Sequence, residues 1–185
     1  MLLAELSQIL RDAPLRHMYT PGGLRMSVAM SNCGSLGWVS DRAGYRYSAV
    51  DPQSNRPWPA LPALFLQLAQ TAAAQSGFAS FVPDACLINC YEPGCKLSLH
   101  QDKDERDYSA PIVSVSLGLP AVFLFGGLRR SDRPSRHVLQ HGDVVVWGGP
   151  ARLRYHGIAT IRRADVTPHP DLAQVRINLT LRTAR

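Results

Sequence analysis

The chain has 185 residues, which favours one domain, and 45% of them are hydrophobic, enough to exclude a disordered protein without a core. Its four cysteines lack the closely paired spacing of a structural zinc site, so we expect unpaired thiols in a reducing compartment. The formal net charge is +6, and all of the 20 basic residues except Lys96 and Lys103 are arginine. This composition suits phosphate contacts, although the base composition of a genome can also produce it.

The N-terminal residues show no targeting signal. Met1 to Leu6 include an early acid and lack the basic segment of a signal peptide. No apolar run approaches the roughly 18 to 20 residues of a membrane span. We therefore expect a cytoplasmic monomer with no membrane partner.

The first 60 residues contain one helix and two short strand-like runs. Residues 1–12 have leucine and isoleucine at helical spacing, and a helical pattern from the first residue suggests that further residues precede it. After a turn at Thr20–Gly23, strand-like runs lie around Met26–Met30 and Tyr45–Tyr47. Aromatic residues concentrate in this part, which favours a recognition surface over a plain core: Trp38, Tyr45, Tyr47 and Trp58.

A second helix and a series of strands follow. Residues 61–76 place Phe65, Leu68 and Ala72 on one helical face. Turn signals then separate eight strand-like segments, at 85–91, 96–101, 112–118, 121–126, 136–140, 143–148, 153–158 and 174–183. Eight short strands predict a sandwich or jelly roll, and the helix before them predicts that one sheet is covered from outside. The fold class is therefore mainly β with flanking helices.

His100 and Asp102 are the first candidates for a metal site. In a strand, residues i and i+2 point to the same face, so both side chains can bind one ion, and His156 from a later strand would add a second imidazole. Two imidazoles and one carboxylate leave positions open and suit non-haem Fe(II) oxygenases. The run His141-Gly142-Asp143 has the same spacing by chance. We interpret it as a turn, because a glycine between the ligands weakens a metal pair.

Residues 175–182 alternate strictly and predict a strand with two different faces. A solvated outer face is one interpretation of its polar side. The other is a receptor for both carboxylates of 2-oxoglutarate, because arginine pairs bidentately with carboxylate. Asn89 and Tyr91, on one face of another strand, can complete such a site, or Tyr91 is a buried phenol with a satisfied hydroxyl. The polar side consists of Arg176, Asn178, Thr180 and Arg182.

Taken together, these motifs closely resemble the AlkB family of oxidative DNA demethylases, and in particular its bacterial members. The likeness covers nearly the whole chain, which makes it far more specific than any single motif. Known bacterial members carry a further stretch before the point where this chain begins. The matching runs are 20–23, 26–30, 37–38, 89–94, 97–105, 111–118, 141–149, 155–157 and 176–182.

The resemblance implies a single domain, residues 1–185, with a double-stranded β-helix at about 85–185 and a nucleotide-recognition lid at about 15–60. It implies Fe(II) bound by His100, Asp102 and His156, with 2-oxoglutarate and O₂ as cosubstrates. Three residues would hold the distal carboxylate of 2-oxoglutarate and two would hold its other end: Tyr91, Arg176 and Asn178, and then Asn89 and Arg182.

The same resemblance implies contacts with alkylated DNA, single- or double-stranded, and leaves RNA open as a second substrate. Trp38 and His100 would stack on the two faces of a flipped base. Asp104 would meet the edge of the base, and Tyr45 would contact a phosphate. The implied reaction oxidises an N-alkyl carbon, which leaves as an aldehyde, while 2-oxoglutarate is converted to succinate and CO₂. Met30 and Arg130 are further candidates for substrate binding.

Three other functions fit parts of this pattern. A dioxygenase acting on a substrate other than nucleic acid would keep the iron and 2-oxoglutarate residues but would not need Trp38 and Tyr45. A non-catalytic barrel that binds nucleic acid predicts a broken metal set, whereas all three metal candidates are present. A zinc hydrolase would leave the polar face of residues 175–182 unexplained. Repair of alkylated nucleic acid is therefore the function that the sequence predicts.

Overall fold

The structure, a computed structural model, describes residues 1–165 and 169–185. Two α-helices lie in the N-terminal half, α1 (Leu2–Asp12) and α2 (Ala63–Gln75). The strands are β1 (Arg16–Tyr19), β2 (Arg25–Gly34), β3 (Gly37–Asp41), β4 (Gly44–Ser48), β5 (Ala85–Tyr91), β6 (Leu97–His100), β7 (Ile112–Gly118), β8 (Ala121–Phe125), β9 (Ser135–Leu139), β10 (Val144–Trp147), β11 (His156–Ile158) and β12 (Arg176–Arg182).

Two antiparallel sheets form the body of the molecule. The larger has six strands in the order β1-β2-β5-β12-β7-β10, and the smaller has four in the order β6-β11-β8-β9. Consecutive strands of the chain alternate between the two sheets over much of the C-terminal half, as in a double-stranded β-helix. The expected jelly roll with flanking helices is confirmed. The hairpin of β3 and β4 is a separate two-stranded sheet.

Both helices cover the outer face of the six-stranded sheet. Leu6 and Ile9 of α1 join the same apolar cluster as Phe65, Ala69 and Ala73 of α2. The buried residues of α2 are four apart, so they form one stripe that lies against β7 and β10. The predicted covering of one sheet from outside is confirmed. Within the described residues, no helix is long and apolar enough to span a membrane.

A second apolar cluster fills one end of the space between the two sheets. It includes Met30 of β2, Tyr91 of β5, Phe123 of β8 and Ile158 of β11. This cluster borders a cavity of about 530 Å³, which is lined by both sheets, including the four residues just named, and by the β3–β4 hairpin. The polar face of β12 borders this cavity, whereas Ile177, Leu179 and Leu181 pack into the helix-covered cluster.

Several elements differ from the sequence-based expectation. β1 and β3 were not predicted, and Trp38 lies in β3 opposite Tyr47. The predicted strand 153–158 is shorter, because residues 152–155 form a turn and irregular chain and β11 begins only at His156. Trp58 was grouped with the recognition aromatics, but it is 5% exposed and packs beside Gly37, where a Cβ atom would lie 2.4 Å from its ring.

Candidate active site

Three potential metal ligands meet where β6 and β11 pair. His100 ends β6, and His156 begins β11 as its direct antiparallel partner. The spacing argument assumed strand geometry from His100 to Asp102, but Asp102 lies two residues beyond the end of β6. Its carboxylate oxygens are 3.6 Å from Nε2 of His100 and 3.5 Å from Nε2 of His156. One ligand atom from each residue lies within 4.8 Å of the others, close enough to hold one ion together.

The backbone fixes which imidazole nitrogen faces the metal position. Nδ1 of His100 lies 2.9 Å from the carbonyl oxygen of Ser98, and Nδ1 of His156 lies 3.0 Å from that of Arg154. A carbonyl oxygen only accepts, so Nδ1 donates in both rings. Nε2 of each neutral imidazole is then left with its lone pair for a metal ion.

Close packing holds His156 in place. Its ring centre is 5.0 Å from that of Trp147 and 6.1 Å from that of Phe123. The next residue is Gly157, where a Cβ atom would lie 2.5 Å from the carbonyl oxygen of Leu97. Glycine therefore allows β11 to approach β6 closely enough for the two histidines to share one ion.

The charges around the metal position favour an ionised carboxylate. Burial by itself would raise the pKa of Asp102, but the guanidinium of Arg182 and the neighbouring His156 hold that pKa well below its usual range. Burial also opposes protonation of His100, yet the hydrogen bond and charge of Asp102 raise the pKa of that imidazole. Asp102 is thus held in the ionised form that a metal ligand needs.

The second His-x-Asp run is a turn, as the sequence indicated. Gly142 has a φ of +92°, in the left-handed region that favours glycine. His141 accepts a hydrogen bond from the backbone of Gly118 through Nδ1, and Asp143 accepts one from the backbone of Gln140 at 2.7 Å. These side chains stabilise the connection between β9 and β10 rather than facing a common ion.

Two paired strands of the large sheet supply the polar wall of the cavity. Arg176 of β12 lies opposite Tyr91 of β5, and Asn178 lies opposite Asn89. All four side chains line the cavity, and so does Arg182 at the far end of β12. The polar face of residues 175–182 is therefore not a solvated surface, because Arg176 is 0% exposed and Arg182 is 5% exposed.

Arg176 is a buried cation with neutral partners. Its guanidinium donates to Oγ of Ser116 at 2.8 Å and to the carbonyl oxygen of Leu119 at 3.4 Å. Among the described residues, no carboxylate forms an ion pair with it, and its Nε has no hydrogen-bond partner. Burial lowers the pKa of this guanidinium. Oδ1 of Asn89, on the same wall of the cavity, is also buried and unpartnered. The buried guanidinium of Arg176 matches a ligand that brings a carboxylate.

The mouth of the cavity carries aromatic and acidic groups from two elements. Trp38 and Tyr45 lie with their ring centres 5.6 Å apart at an interplanar angle of 13°. Nε1 of Trp38 donates to Oδ2 of Asp104 at 2.7 Å, which joins the β3–β4 hairpin to the loop after β6. Met30 is buried in the cavity wall, and the exposed Arg130 borders the cavity with its guanidinium near the ring of Tyr155.

Comparison with known proteins agrees with this geometry. Residues 2–182 match the family model described as the 2OG-Fe(II) oxygenase superfamily. The chain is 57% identical over 183 residues to the alpha-ketoglutarate-dependent dioxygenase AlkB of Escherichia coli (strain K12), covering 99% of this chain and 83% of that protein. The chain belongs to the AlkB family. It is thus an Fe(II)- and 2-oxoglutarate-dependent dioxygenase.

More distant AlkB relatives share the same fold. The DNA N(6)-methyladenine demethylase ALKBH1C of Arabidopsis thaliana is 35% identical, and the match covers 80% of this chain and 37% of that protein. The solved structure of OsALKBH1 superimposes with a TM-score of 0.78 at 30% identity, covering 91% of this chain and 83% of that one. The AlkB fold is therefore retained at low sequence identity.

The structure adds a group of charged residues that the sequence did not reveal. Arg182 donates to Asp102 at 2.8 Å, and Arg152 donates to Glu105 at 3.1 Å in a buried ion pair. Arg152 also donates to the backbone of Asp102 at 2.7 Å. Tyr47, grouped with the recognition aromatics, donates its hydroxyl hydrogen to Glu105. The matching run after His100 contained Glu105, but no spacing rule connects that residue with its partners.

Proposed function

We propose that this dioxygenase removes alkyl groups from nucleic-acid bases by oxidative demethylation, with 2-oxoglutarate converted to succinate and CO₂ and the alkyl carbon released as an aldehyde. One observation carries the proposal: a single cavity has a buried arginine wall at its base, a His-Asp-His set in its middle and an aromatic hairpin at its mouth. Similarity to the DNA N(6)-methyladenine demethylase ALKBH1C of Arabidopsis thaliana supports nucleic acid as the substrate class.

The donor set fits Fe(II). Two neutral imidazoles and one carboxylate suit a non-haem iron site with open positions. His100, Asp102 and His156 would hold the ion through Nε2, a carboxylate oxygen and Nε2. When bound, the iron supplies the activation of O₂ that couples oxidation of 2-oxoglutarate to oxidation of the alkyl group. The protein's own part is to hold the ligands, orient the cosubstrate and bring the alkyl carbon close.

The polar wall fits a dicarboxylate. Arg176 would receive the distal carboxylate of 2-oxoglutarate, with Asn178 and Tyr91 beside it. Asn89 and Arg182 would hold the other end, next to the iron ligands. An ionised carboxylate would give Arg176 the charged partner that its burial requires, and bidentate pairing would fix the orientation of the cosubstrate.

The hairpin and the loop after β6 would recognise the base. Trp38 and His100 would stack on its two faces, Asp104 would meet its polar edge, and Tyr45 would contact a phosphate. Met30 would form part of the pocket wall, and Arg130 would contact the nucleic-acid backbone. Extraction of a base from a duplex costs a few kcal/mol, less for a damaged base that pairs poorly, and stacking offsets roughly 1–3 kcal/mol per base.

A direct assay separates this function from a dioxygenase with another substrate. Methylated DNA and RNA oligonucleotides are incubated with the protein, Fe(II), 2-oxoglutarate and O₂, and formaldehyde and the repaired base are measured. We expect equimolar formaldehyde and repaired base, with no product when 2-oxoglutarate is omitted. Turnover of 2-oxoglutarate without any repaired base would favour the alternative substrate class.

Two finer expectations also belong to this proposal. We expect the enzyme to act as a monomer, and we expect it to be located in the cytoplasm, where alkylated nucleic acid is accessible. Sedimentation equilibrium in the presence and absence of an oligonucleotide tests the first expectation. If the protein is a monomer, the free protein has a constant mass near 20.3 kDa. Fractionation of cells that express the protein tests the second.

A further inference from the structure

A buried carboxylate outside the proposed metal and cosubstrate ligands connects the β3–β4 hairpin with the active site. The side chain of Glu105, three residues after Asp102, is 2% exposed. Its Oε1 accepts a hydrogen bond from the hydroxyl of Tyr47 in β4 at 2.6 Å, and its Oε2 accepts one from Arg152 at 3.1 Å. Nε of Arg182 in β12 lies 3.4 Å from Oε1 of Glu105. The two groups form an ion pair, but their geometry is not that of a hydrogen bond. One carboxylate thus contacts three separate elements.

These contacts restrict the orientation of Arg182. Its Nη2 donates to Asp102 at 2.8 Å, its Nη1 donates to the hydroxyl oxygen of Tyr47 at 3.3 Å, and its Nε faces Glu105. A planar guanidinium held along two edges by different carboxylates has little freedom to rotate. Loss of Glu105 would leave the Nε edge without an anion and allow the plane of the guanidinium to turn.

The same loop holds the hairpin at a second point. Trp38 and Tyr47 are direct partners across β3 and β4. Trp38 donates to Asp104 at 2.7 Å, and Tyr47 donates to the neighbouring Glu105. The two strands of the hairpin are therefore fastened to two consecutive residues of one loop. The position of the hairpin and the orientation of Arg182 are linked through the hydroxyl of Tyr47 and the carboxylate of Glu105.

We propose that Glu105 is a positioning residue that, together with Tyr47, orients Arg182 for the carboxylate of 2-oxoglutarate and so links the base-binding hairpin to the cosubstrate site. This inference rests on the proposed function, because it takes Arg182 as a cosubstrate anchor. Residues that hold a ligand-binding side chain from behind commonly change affinity or activity by about tenfold to a hundredfold, although they do not touch the ligand.

Calorimetric titration of 2-oxoglutarate into protein saturated with Mn(II) tests the proposal without turnover. Glu105→Gln keeps the shape of the side chain and removes its charge, and Tyr47→Phe removes only the hydroxyl. We expect Glu105→Gln to weaken 2-oxoglutarate binding about tenfold or more and Tyr47→Phe about threefold. Tyr108→Phe is the matched control, because that hydroxyl donates to the backbone of Lys103 in the same loop at 2.8 Å. Its affinity should equal that of the parent.

The outcomes separate this proposal from the proposed function. Parent-like 2-oxoglutarate affinity in folded Tyr47→Phe overturns the positioning role, even if Glu105→Gln fails to fold. An equal loss in Tyr108→Phe overturns it as well, because the effect would then belong to the loop in general. Parent-like affinity in Arg182→Lys would instead refute Arg182 as a cosubstrate anchor. Thermal melting of each variant distinguishes lost stability from lost affinity.

Discussion

Arg176 is a buried cation for which the protein supplies no anionic partner among the described residues. Its guanidinium is fully buried, its protein partners are neutral oxygens, and the cavity lies beside it. A buried charge without a counter-ion is costly, and its replacement by an apolar side chain of similar size is often neutral or stabilising. Ligand binding, rather than a contribution to the stability of the fold, would explain why an arginine occupies this buried position.

Replacement of Arg176 by methionine should therefore separate binding from stability. We expect Arg176→Met to lose about 2–5 kcal/mol of 2-oxoglutarate binding, which is about thirtyfold or more, because the ligand carboxylate would be enclosed without its partner. The melting temperature without ligand should be unchanged or higher. Calorimetry on the Mn(II) protein and thermal melting measure the two effects, with the exposed Arg163→Met as the control. Unchanged affinity in Arg176→Met would show that the wall does not receive the cosubstrate.

Substitution of the aspartate should have opposite effects on metal binding in the two His-x-Asp runs. Asp102→Ala should abolish Mn(II) binding and turnover, because it removes the only carboxylate of the ligand set. Asp143→Ala should retain both and lose about 1 kcal/mol of stability, because it removes the hydrogen bond to the backbone of Gln140. Electron paramagnetic resonance of bound Mn(II) and thermal melting measure these effects. Metal binding that survives Asp102→Ala but not Asp143→Ala would mean that Asp143, and not Asp102, belongs to the metal site.

At the scale of elements, β12 was predictable and the β3–β4 hairpin was only partly so. The alternation of residues 175–182 specifies a strand with an apolar and a polar face, and the structure places these faces on the core and on the cavity. The hairpin lacks such a pattern, because burial does not alternate strictly along β3 or β4 and the two strands form their own small sheet. Its aromatic composition did not show that Trp38 borders the cavity while Trp58 packs beneath the hairpin.

The hairpin can be tested through Trp38. We expect Trp38→Ala to weaken binding of methylated single strands by roughly 1–3 kcal/mol, the loss of one stacked base. Conversion of 2-oxoglutarate without substrate should remain largely intact, because the barrel strands hold the proposed iron and cosubstrate ligands. Fluorescence anisotropy of a labelled oligonucleotide and succinate formation are measured on the same preparation.

Trp38→Phe serves as the control for stacking. Phenylalanine keeps an aromatic face but loses the hydrogen bond to Asp104, so its binding loss should be smaller than that of Trp38→Ala. Oligonucleotide affinity equal to that of the parent in Trp38→Ala would refute base stacking by this residue. Collapse of both succinate formation and melting temperature would instead show that Trp38 is needed for folding.

At the scale of the whole molecule, the order of strands could be expected only from the family resemblance. Strand spacing predicted a jelly roll, and the resemblance predicted the residues that surround the cavity. The charged network was not predictable, because Tyr47 and Arg182 are 135 residues apart in sequence and meet only after both sheets and the hairpin are assembled. Long-range pairing of this kind leaves no local pattern in the sequence.

The arrangement of the two sheets also predicts how ligands affect global stability. The proposed metal ligands lie on and beside β6 and β11 of the small sheet, and the proposed cosubstrate ligands lie on β5 and β12 of the large sheet. Mn(II) and 2-oxoglutarate bound together would therefore join the sheets across the cavity. They would also provide counter-charges for Asp102 and Arg176, which unfolding would remove.

We expect the two ligands together to raise the melting temperature well above that of metal-free protein. A ligand at about 100 times its Kd stabilises the native state by about 2.7 kcal/mol. For a chain of this length each kcal/mol corresponds to about 2–4 °C, so each ligand should add about 5–10 °C and the two together about 10–20 °C. Chelation of the metal should reverse it, and Asp102→Ala should show no metal-dependent shift. A similar metal-dependent shift in Asp102→Ala, or none in the parent, would contradict metal binding through Asp102, because only a ligand bound to the native state raises the melting temperature.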